Sequence, residues 1–410
     1  MEKSSYVVEK CQICQSNELE TILFLGYLPP VNQMHPIGSR PKEQPSYPAE
    51  LLQCKTCSLV QLGLVVDKKI LFPKEYPYTS STTKILRDNF TELYHESISL
   101  VALKKDDLII DIGSNDGNLL SNFKDHHKVL GITPEDIGKI AIERGIPTIL
   151  DYFKDDVVKK IKKSYGKAKI ITATNVFAHI DDINEIVALI LEVLEKDGVF
   201  ISESHYLMPL LEAIQYDTIY HEHLRYYSLT SLRYLLERHG LEVFHAKQIP
   251  THGGSIRVYA VRKGMYPIKE TVKKIIEKEQ KELSKEKLLE FAEKVMLSKL
   301  ALHAMLSEIK KKRQRVYGIS APSRASTLVN YVGLDDGIID CVLEIKGSHK
   351  IGKYMPGTLI PVLEESKLYG DQPEYALLLS WHIAEELIPK IKAKGFKGKF
   401  IVPLPKPRIV

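Results

Sequence analysis

The segment Gln215-Tyr216-Asp217-Thr218-Ile219-Tyr220-His221-Glu222-His223-Leu224-Arg225-Tyr226-Tyr227-Ser228 is the most chemically loaded stretch of the chain. Eight of its fourteen residues are Tyr, His, Glu or Asp, too polar for a core strand or helix. Removing a proton from carbon beside a ketone needs a base available at neutral pH and donors that hold the enolate oxygen. Histidine, which titrates near pH 6.5, suits the first task and tyrosine hydroxyls the second. A metal site on His221 and His223 is the rival reading, but His-x-His lacks the His-x-x-x-His spacing that puts two imidazoles on one helix face.

Two further segments have the same character. Pro250-Thr251-His252-Gly253-Gly254-Ser255 brings a histidine and two glycines together ahead of a strand. Glu75-Tyr76-Pro77-Tyr78-Thr79-Ser80 sets two tyrosines beside a proline that stiffens the turn. Each alone is compatible with a loop and its aromatic packing. Three in one chain point to a polar, hydroxyl-rich substrate, with Tyr76, Tyr78, His252 and Gly253 as candidate contacts.

Four of the five cysteines form two Cys-x-x-Cys pairs, Cys11/Cys14 and Cys54/Cys57, separated by 39 residues. Two such turns supply the four thiolates of a tetrahedral zinc site. With all four positions filled by sulfur, that zinc is structural. Neither pair sits at a strand–helix junction, as a thioredoxin-type redox pair would. Cys341, within the apolar run Ile338–Leu343, reads as a buried strand residue.

Leu108-Ile109-Ile110-Asp111-Ile112-Gly113-Ser114-Asn115-Asp116-Gly117 is a buried strand, a glycine turn and a helix start. Asp111 lies at the strand's end, where open α/β sheets bind ligands. The spacing Asp-x-Gly-x-x-x-Gly differs from the Gly-x-Gly-x-x-Gly of dinucleotide sites and resembles the first motif of class I methyltransferases. On that resemblance Asp111, Gly113, Asn115 and Gly117 hold S-adenosylmethionine. Asn175, ending the strong strand Lys169–Ala173, and Thr133, after the strand Lys128–Ile132, lie over the same cofactor.

These residues need a scaffold. Strands at Leu108–Ile112, Lys128–Ile132, Lys169–Ala173 and Val199–Glu203 alternate with amphipathic helices, which predicts a parallel sheet covered on both faces. Residues 267–312 are Lys/Glu-rich, with Leu288, Phe291, Val295, Leu297 and Leu300 at helical spacing, and read as a helical connector. Alternation resumes with strands near Arg315–Ser320, Gly337–Leu343, Tyr375–Leu379 and Lys399–Val402. The expected architecture is α/β, in four parts: a zinc-binding domain over 1–80, a Rossmann-like methyltransferase domain over 81–265, the connector over 266–312, and a second Rossmann-like domain over 313–410 that contacts substrate.

The 410 residues are enough for several cores. The net charge of +5 is thin for a nucleic-acid binder, which needs a dense basic face. No apolar run reaches the 18–20 residues, roughly, of a membrane span. Met1-Glu2-Lys3-Ser4-Ser5 lacks the apolar stretch of a secretory signal, so a cytoplasmic location is expected, without nucleic-acid or membrane partners. Monomer and homodimer both stay open.

Taken in order, the double Cys-x-x-Cys, Leu28-Pro29-Pro30-Val31-Asn32, Glu75-Tyr76-Pro77-Tyr78, Asp111–Gly117, Asn175–Ile180, Tyr220-His221-Glu222-His223, His252-Gly253-Gly254 and Ala321-Pro322-Ser323-Arg324 resemble the three-domain sugar C-methyltransferases, over nearly the whole chain. That family methylates a 4-keto-deoxy nucleotide sugar. The resemblance implies that the zinc domain caps the active site, the middle domain holds the methyl donor, and the C-terminal domain helps hold the nucleotide sugar without a dinucleotide of its own. It implies His223 as the base, with Tyr220, Glu222 and Tyr76 around the sugar.

Two departures stand out. Thr133 occupies the place of the acidic residue that holds the cofactor ribose, with Glu135 two positions on. Arg324 replaces a lysine in the turn Ala321–Thr327, where a guanidinium ahead of a helix N-terminus suits a diphosphate or base.

Overall fold

The computed structural model describes residues 4–40, 43–72 and 83–410. Three sheets carry the architecture. The first holds β2 (Leu19–Leu28), β3 (Tyr47–Cys54) and β4 (Val60–Leu62), while β1 (Ser5–Val7) pairs with β5 (Leu64–Val66) beside it. The second has the order β12-β13-β10-β9-β6-β7-β8, with β6 (Leu108–Ile112), β7 (Lys128–Ile132), β8 (Thr148–Ile149), β9 (Ala168–Thr174), β10 (Leu194–His205), β12 (Leu241–Ile249) and β13 (Ser255–Arg262). Its five strands from β10 to β8 are parallel, and β13 runs antiparallel between β10 and β12. The third has the order β16-β15-β14-β17-β18-β19, built from β14 (Val316–Ile319), β15 (Cys341–Glu344), β16 (Val362–Glu364), β17 (Tyr375–Leu378), β18 (Lys399–Val402) and β19 (Arg408–Ile409).

The apolar runs read from the sequence form buried strands because both sheet faces are covered. β6, β9 and the core of β14 are buried throughout. β7 and β18 match the expected spans. β15 starts later than expected, at Cys341, because Asp335 accepts from the Gly337 amide while its carbonyl takes the amides of Ile338 and Ile339, making a turn. Cys341 is buried in this strand, as its neighbours imply.

Helices Glu270–Glu282 and Lys285–Lys311 occupy the connector. The buried face of the longer one is Leu288, Phe291, Val295, Ser298, Leu302, Leu306 and Ile309, a stripe in which each step is about three or four residues. Leu297 and Leu300 lie off that stripe and are half exposed, contrary to the sequence expectation. The stripe joins β2 and the third sheet in one core.

Cross-links between the parts fix the middle of the molecule. β11 (Arg225–Tyr226) belongs to the polar segment but pairs antiparallel with β4 of the first sheet. Helix Lys84–Leu100 is tied to the second sheet by Arg257, a fully buried cation. Arg257 Nε donates to Glu203 Oε1 at 2.6 Å, and its other nitrogens reach Glu92, Glu96 and Asn89. A guanidinium with this many acceptors is satisfied, which is what makes its burial tolerable.

Candidate active site

In the second sheet β6 is flanked by β7 on one side and β9 on the other, so the strand order reverses there. The crevice beyond its carboxyl end is the place such sheets bind ligands. The third sheet reverses at β14 in the same way. A cavity of 1390 Å³ lies where these ends meet, lined from the first part by Asn32, from the second by Asp111, Gly113, Asn115 and Asn175, and from the third by residues 344–350.

The polar segment 215–228 forms one wall and is almost wholly buried. Its conformation is imposed from three sides. β11 pairs with β4. Arg225 donates to the carbonyls of Phe177, Ile180 and Asp181, gripping the turn that carries His179. Thr327 Oγ1 donates to the Ile219 carbonyl from the third part.

Within this wall the His223 and Tyr220 rings lie 4.1 Å apart, and His179 lies 5.1 Å from His223. His223 Nδ1 is 2.9 Å from the Thr218 carbonyl. His179 Nδ1 is 2.7 Å from the Glu222 carbonyl. Burial pushes His223 well below the usual histidine range, with His179 adding to the effect, and takes His179 down to about 4. Both rings are therefore neutral at physiological pH. Asn32 Nδ2 donates to Glu222 Oε1 at 2.6 Å, and Ser323 Oγ meets Asn32 Oδ1 at 3.5 Å. One side chain thus joins three parts of the chain at the site.

Three family models match the chain: "Putative zinc binding domain" over residues 11–72, "Methyltransferase domain" over 85–246, and "C-methyltransferase C-terminal domain" over 250–405. C-methyltransferase NovU of Streptomyces niveus is 29% identical over 411 residues, covering 98% of this chain and 97% of that protein. Together the three models span residues 11–405, so the chain carries a zinc-binding domain, a methyltransferase domain and a C-methyltransferase C-terminal domain. Among solved structures it resembles magnesium protoporphyrin IX methyltransferase of Synechocystis PCC 6803 with bound SAM, at 12% identity and TM-score 0.33, over 43% of this chain and 79% of that one. An S-adenosylmethionine-dependent methyltransferase of Clostridium acetobutylicum is similar at 14% identity and TM-score 0.35, over 45% and 94%.

The methyl donor of this C-methyltransferase is S-adenosylmethionine, and the crevice residues fit it. Gly113 has φ +77°, and a Cβ there would lie 2.4 Å from Val176 Cγ2, so only glycine allows the turn to close on the segment that follows β9. Asn115 and Asn175 both adopt left-handed backbone at the cavity edge. Carboxylates line this arm, among them Asp111, Glu135, Asp136 and Asp151, which suits a ligand carrying positive charge and a ribose diol. Asp111 accepts from Thr172 Oγ1 at 2.6 Å, yet its burial pushes it up to about 7, with Glu203 adding.

The zinc site of the C-methyltransferase is also formed. The four sulfurs of Cys11, Cys14, Cys54 and Cys57 lie within 4.8 Å of one another. Cys11–Cys57 and Cys14–Cys54 are each 3.4 Å apart, near the separation of about 3.8 Å that tetrahedral bonds of about 2.3 Å require. Asn184 donates to the carbonyls of Gln12 and Ile13 and seats the first knuckle on the methyltransferase domain.

Several expected site residues take other places. Thr133 does not line the cavity; its hydroxyl donates to Glu135 Oε2 at 2.8 Å, and Glu135 faces the cavity instead. Gly117 packs beneath Ala141 and Ile146. Gly253 lies behind the wall, where a Cβ would meet Gln215 Oε1 at 2.6 Å and where its carbonyl accepts from the Gln215 amide. Arg324 lines the cavity, but its Nε and Nη2 both hold Asp217 at 2.8 Å, which opposes the free phosphate grip the sequence suggested. His221 turns away toward Tyr47, with Nε2 3.2 Å from the Pro48 carbonyl. Tyr76 and Tyr78 lie outside the described residues. Unforeseen cavity residues are His205, His382 and Lys350; none sits in a motif that singles it out. Among the described residues no helix is long and apolar enough to cross a membrane.

Proposed function

We propose that this C-methyltransferase acts on a keto-deoxy sugar carried by a nucleoside diphosphate, and that His223 removes the proton from the carbon to be methylated. The observation that carries the reading is the hydrogen bond from His223 Nδ1 to the Thr218 carbonyl. A carbonyl only accepts, so Nδ1 keeps its proton and Nε2 keeps the lone pair. The carbon–hydrogen bond breaks, the proton passes to Nε2, and the electron pair enters an enolate. Tyr220, whose ring lies 4.1 Å from that of His223, holds an oxygen of the sugar. Glu222, fixed by Asn32, accepts from a sugar hydroxyl. S-adenosylmethionine, when bound, supplies an electrophilic methyl group to this site.

A diphosphate carrier is favoured by charge. Lys346, His349 and Lys350 line the cavity, and Lys350 Nζ donates to the Ala321 carbonyl just ahead of helix Ser323–Val332, whose amide dipoles favour anions. The test is a mass-spectrometric screen of nucleoside diphosphate keto-deoxyhexoses with S-adenosylmethionine. The expected product gains one methyl on carbon, and without donor the substrate takes up solvent deuterium beside the ketone. Methyl on nitrogen or oxygen, or no exchange in a substrate that is methylated, overturns the reading.

A further inference from the structure

Three histidines outside the His223 wall converge on the cavity from separate elements. His205 ends β10, His252 sits in the turn Thr251–Gly253, and His382 sits in the turn Trp381–Ile383 after β17. Both ring nitrogens of His205, Nε2 of His252 and Nδ1 of His382 are shielded from solvent and have no hydrogen-bond partner among the described residues. Gln215 is close to His205, but its amide donates to the Pro209 and Gly253 carbonyls and its oxygen accepts from Arg324. Four unpartnered polar atoms in one region are expensive, at about 1–3 kcal/mol each.

The backbone is built to hold these rings in place. His252 has φ 56°, a left-handed conformation that a histidine adopts only under constraint. Gly254 follows with φ +120°, and a Cβ there would strike Pro209 at 2.5 Å. Trp381 Nε1 donates to Asp217 Oδ2 at 2.8 Å, so the ion pair of Asp217 with Arg324 also anchors the turn that carries His382.

Their chemistry limits what they bind. Burial, then the nearby Arg324 charge, lowers His205 and His382 to about 3 and His252 to about 4. Neutral imidazoles each offer one N–H and one lone pair and no charge. That set matches hydroxyl and carbonyl oxygens, which both give and accept or accept alone. It does not match a phosphate, which the cations Lys346 and Lys350 of the same cavity suit. A metal is not indicated, since the only group of three or more close ligand atoms among the described residues is the cysteine cluster.

We propose that His205, His252 and His382 form a subsite that reads the oxygen substituents of the sugar ring and so sets which sugar is accepted. The proposal rests on the sugar-nucleotide reading above. The experiment compares, by calorimetry with S-adenosylhomocysteine present, a nucleoside diphosphate with its keto-deoxyhexose derivative on wild-type protein and on His205→Asn and His382→Gln. Both variants should bind S-adenosylhomocysteine normally, which checks the fold. Each should weaken the keto-sugar derivative tenfold or more and leave the bare nucleoside diphosphate within twofold. Equal losses on both ligands would mean a phosphate contact, and no loss on either would mean a packing role; both overturn the proposal. If wild-type protein does not prefer the sugar derivative over the bare nucleoside diphosphate, the substrate reading itself fails and the subsite with it.

Discussion

Arg324 and Asp217, 107 residues apart, form a two-pronged ion pair at the seam between the methyltransferase domain and the C-terminal sheet. Both side chains are nearly or fully buried, and Asp217 takes a third hydrogen bond from Trp381. Removing one partner strands the other charge out of water, at a cost of about 3–5 kcal/mol. Arg324→Met and Asp217→Asn are each expected to lower the urea midpoint, and the double variant should regain part of the loss. An unchanged midpoint for Arg324→Met, with weaker sugar-nucleotide binding, would restore the phosphate role that the turn sequence suggests.

Zinc should be present at about one equivalent per chain in protein purified without added metal. Cys54→Ser breaks a closed four-sulfur site. Because the cysteines share a core with the methyltransferase domain, metal loss should also loosen that contact. Metal analysis and proteolysis of the variant check both points. A variant that keeps full zinc and full resistance to protease contradicts them.

Much of this arrangement was legible in the sequence. The strands β6, β7 and β18 were readable to the residue, because apolar runs between turn residues leave little choice. The cysteine spacing announced a metal site, and the glycine turn announced a crevice. Contacts made across the seams were not legible. Arg324 looked like an anion ligand because nothing local reveals that Asp217 reaches it. Thr133 occupied the expected register, but its hydroxyl is drawn to Glu135 two residues on. His205 and His382 sit in unremarkable contexts, and only the meeting of two sheets gives them a common cavity.

Donor binding should follow that difference between Thr133 and Glu135. A carboxylate can hold two ribose hydroxyls with charge-assisted bonds, which are stronger than neutral ones. Glu135→Gln should weaken S-adenosylhomocysteine about tenfold by calorimetry, whereas Thr133→Val, which only frees the Glu135 carboxylate, should cost much less. The reverse order would return the ribose contact to Thr133.

Acid should destabilise the fold earlier than carboxylate protonation alone would. His179, His205, His252 and His382 are held neutral down to about 3–4, but in the unfolded chain they take protons near pH 6.5. Between those values the unfolded state binds more protons, so stability is full above about pH 6.5 and falls as pH drops below it. Between pH 7.5 and 5.5 the unfolding free energy should fall by an amount on the order of 1 kcal/mol per histidine, and the urea midpoint with it. Equal midpoints at the two values would mean that these rings protonate in the fold.

The two histidines flanking Glu222 separate the proposed base from its neighbour. His223 lines the cavity against Tyr220 and His179, whereas His221 is directed at Tyr47 and Pro48. Loss of a general base slows reactions by about 10²–10⁴. His223→Asn should therefore slow both methylation and deuterium uptake beside the ketone by that range, with donor affinity unchanged. His221→Asn should change the rate little and act, if at all, on stability. Because burial depresses His223, the base form persists as pH falls below 6.5, and the acid limb of the rate profile should lie below that value. An active His223→Asn beside an inactive His179→Asn would move the proton to the neighbouring ring, whose Nδ1 is likewise committed to a carbonyl and whose Nε2 is likewise the lone-pair nitrogen. Deuterium uptake without donor tells the two apart, since only the true base is needed for exchange.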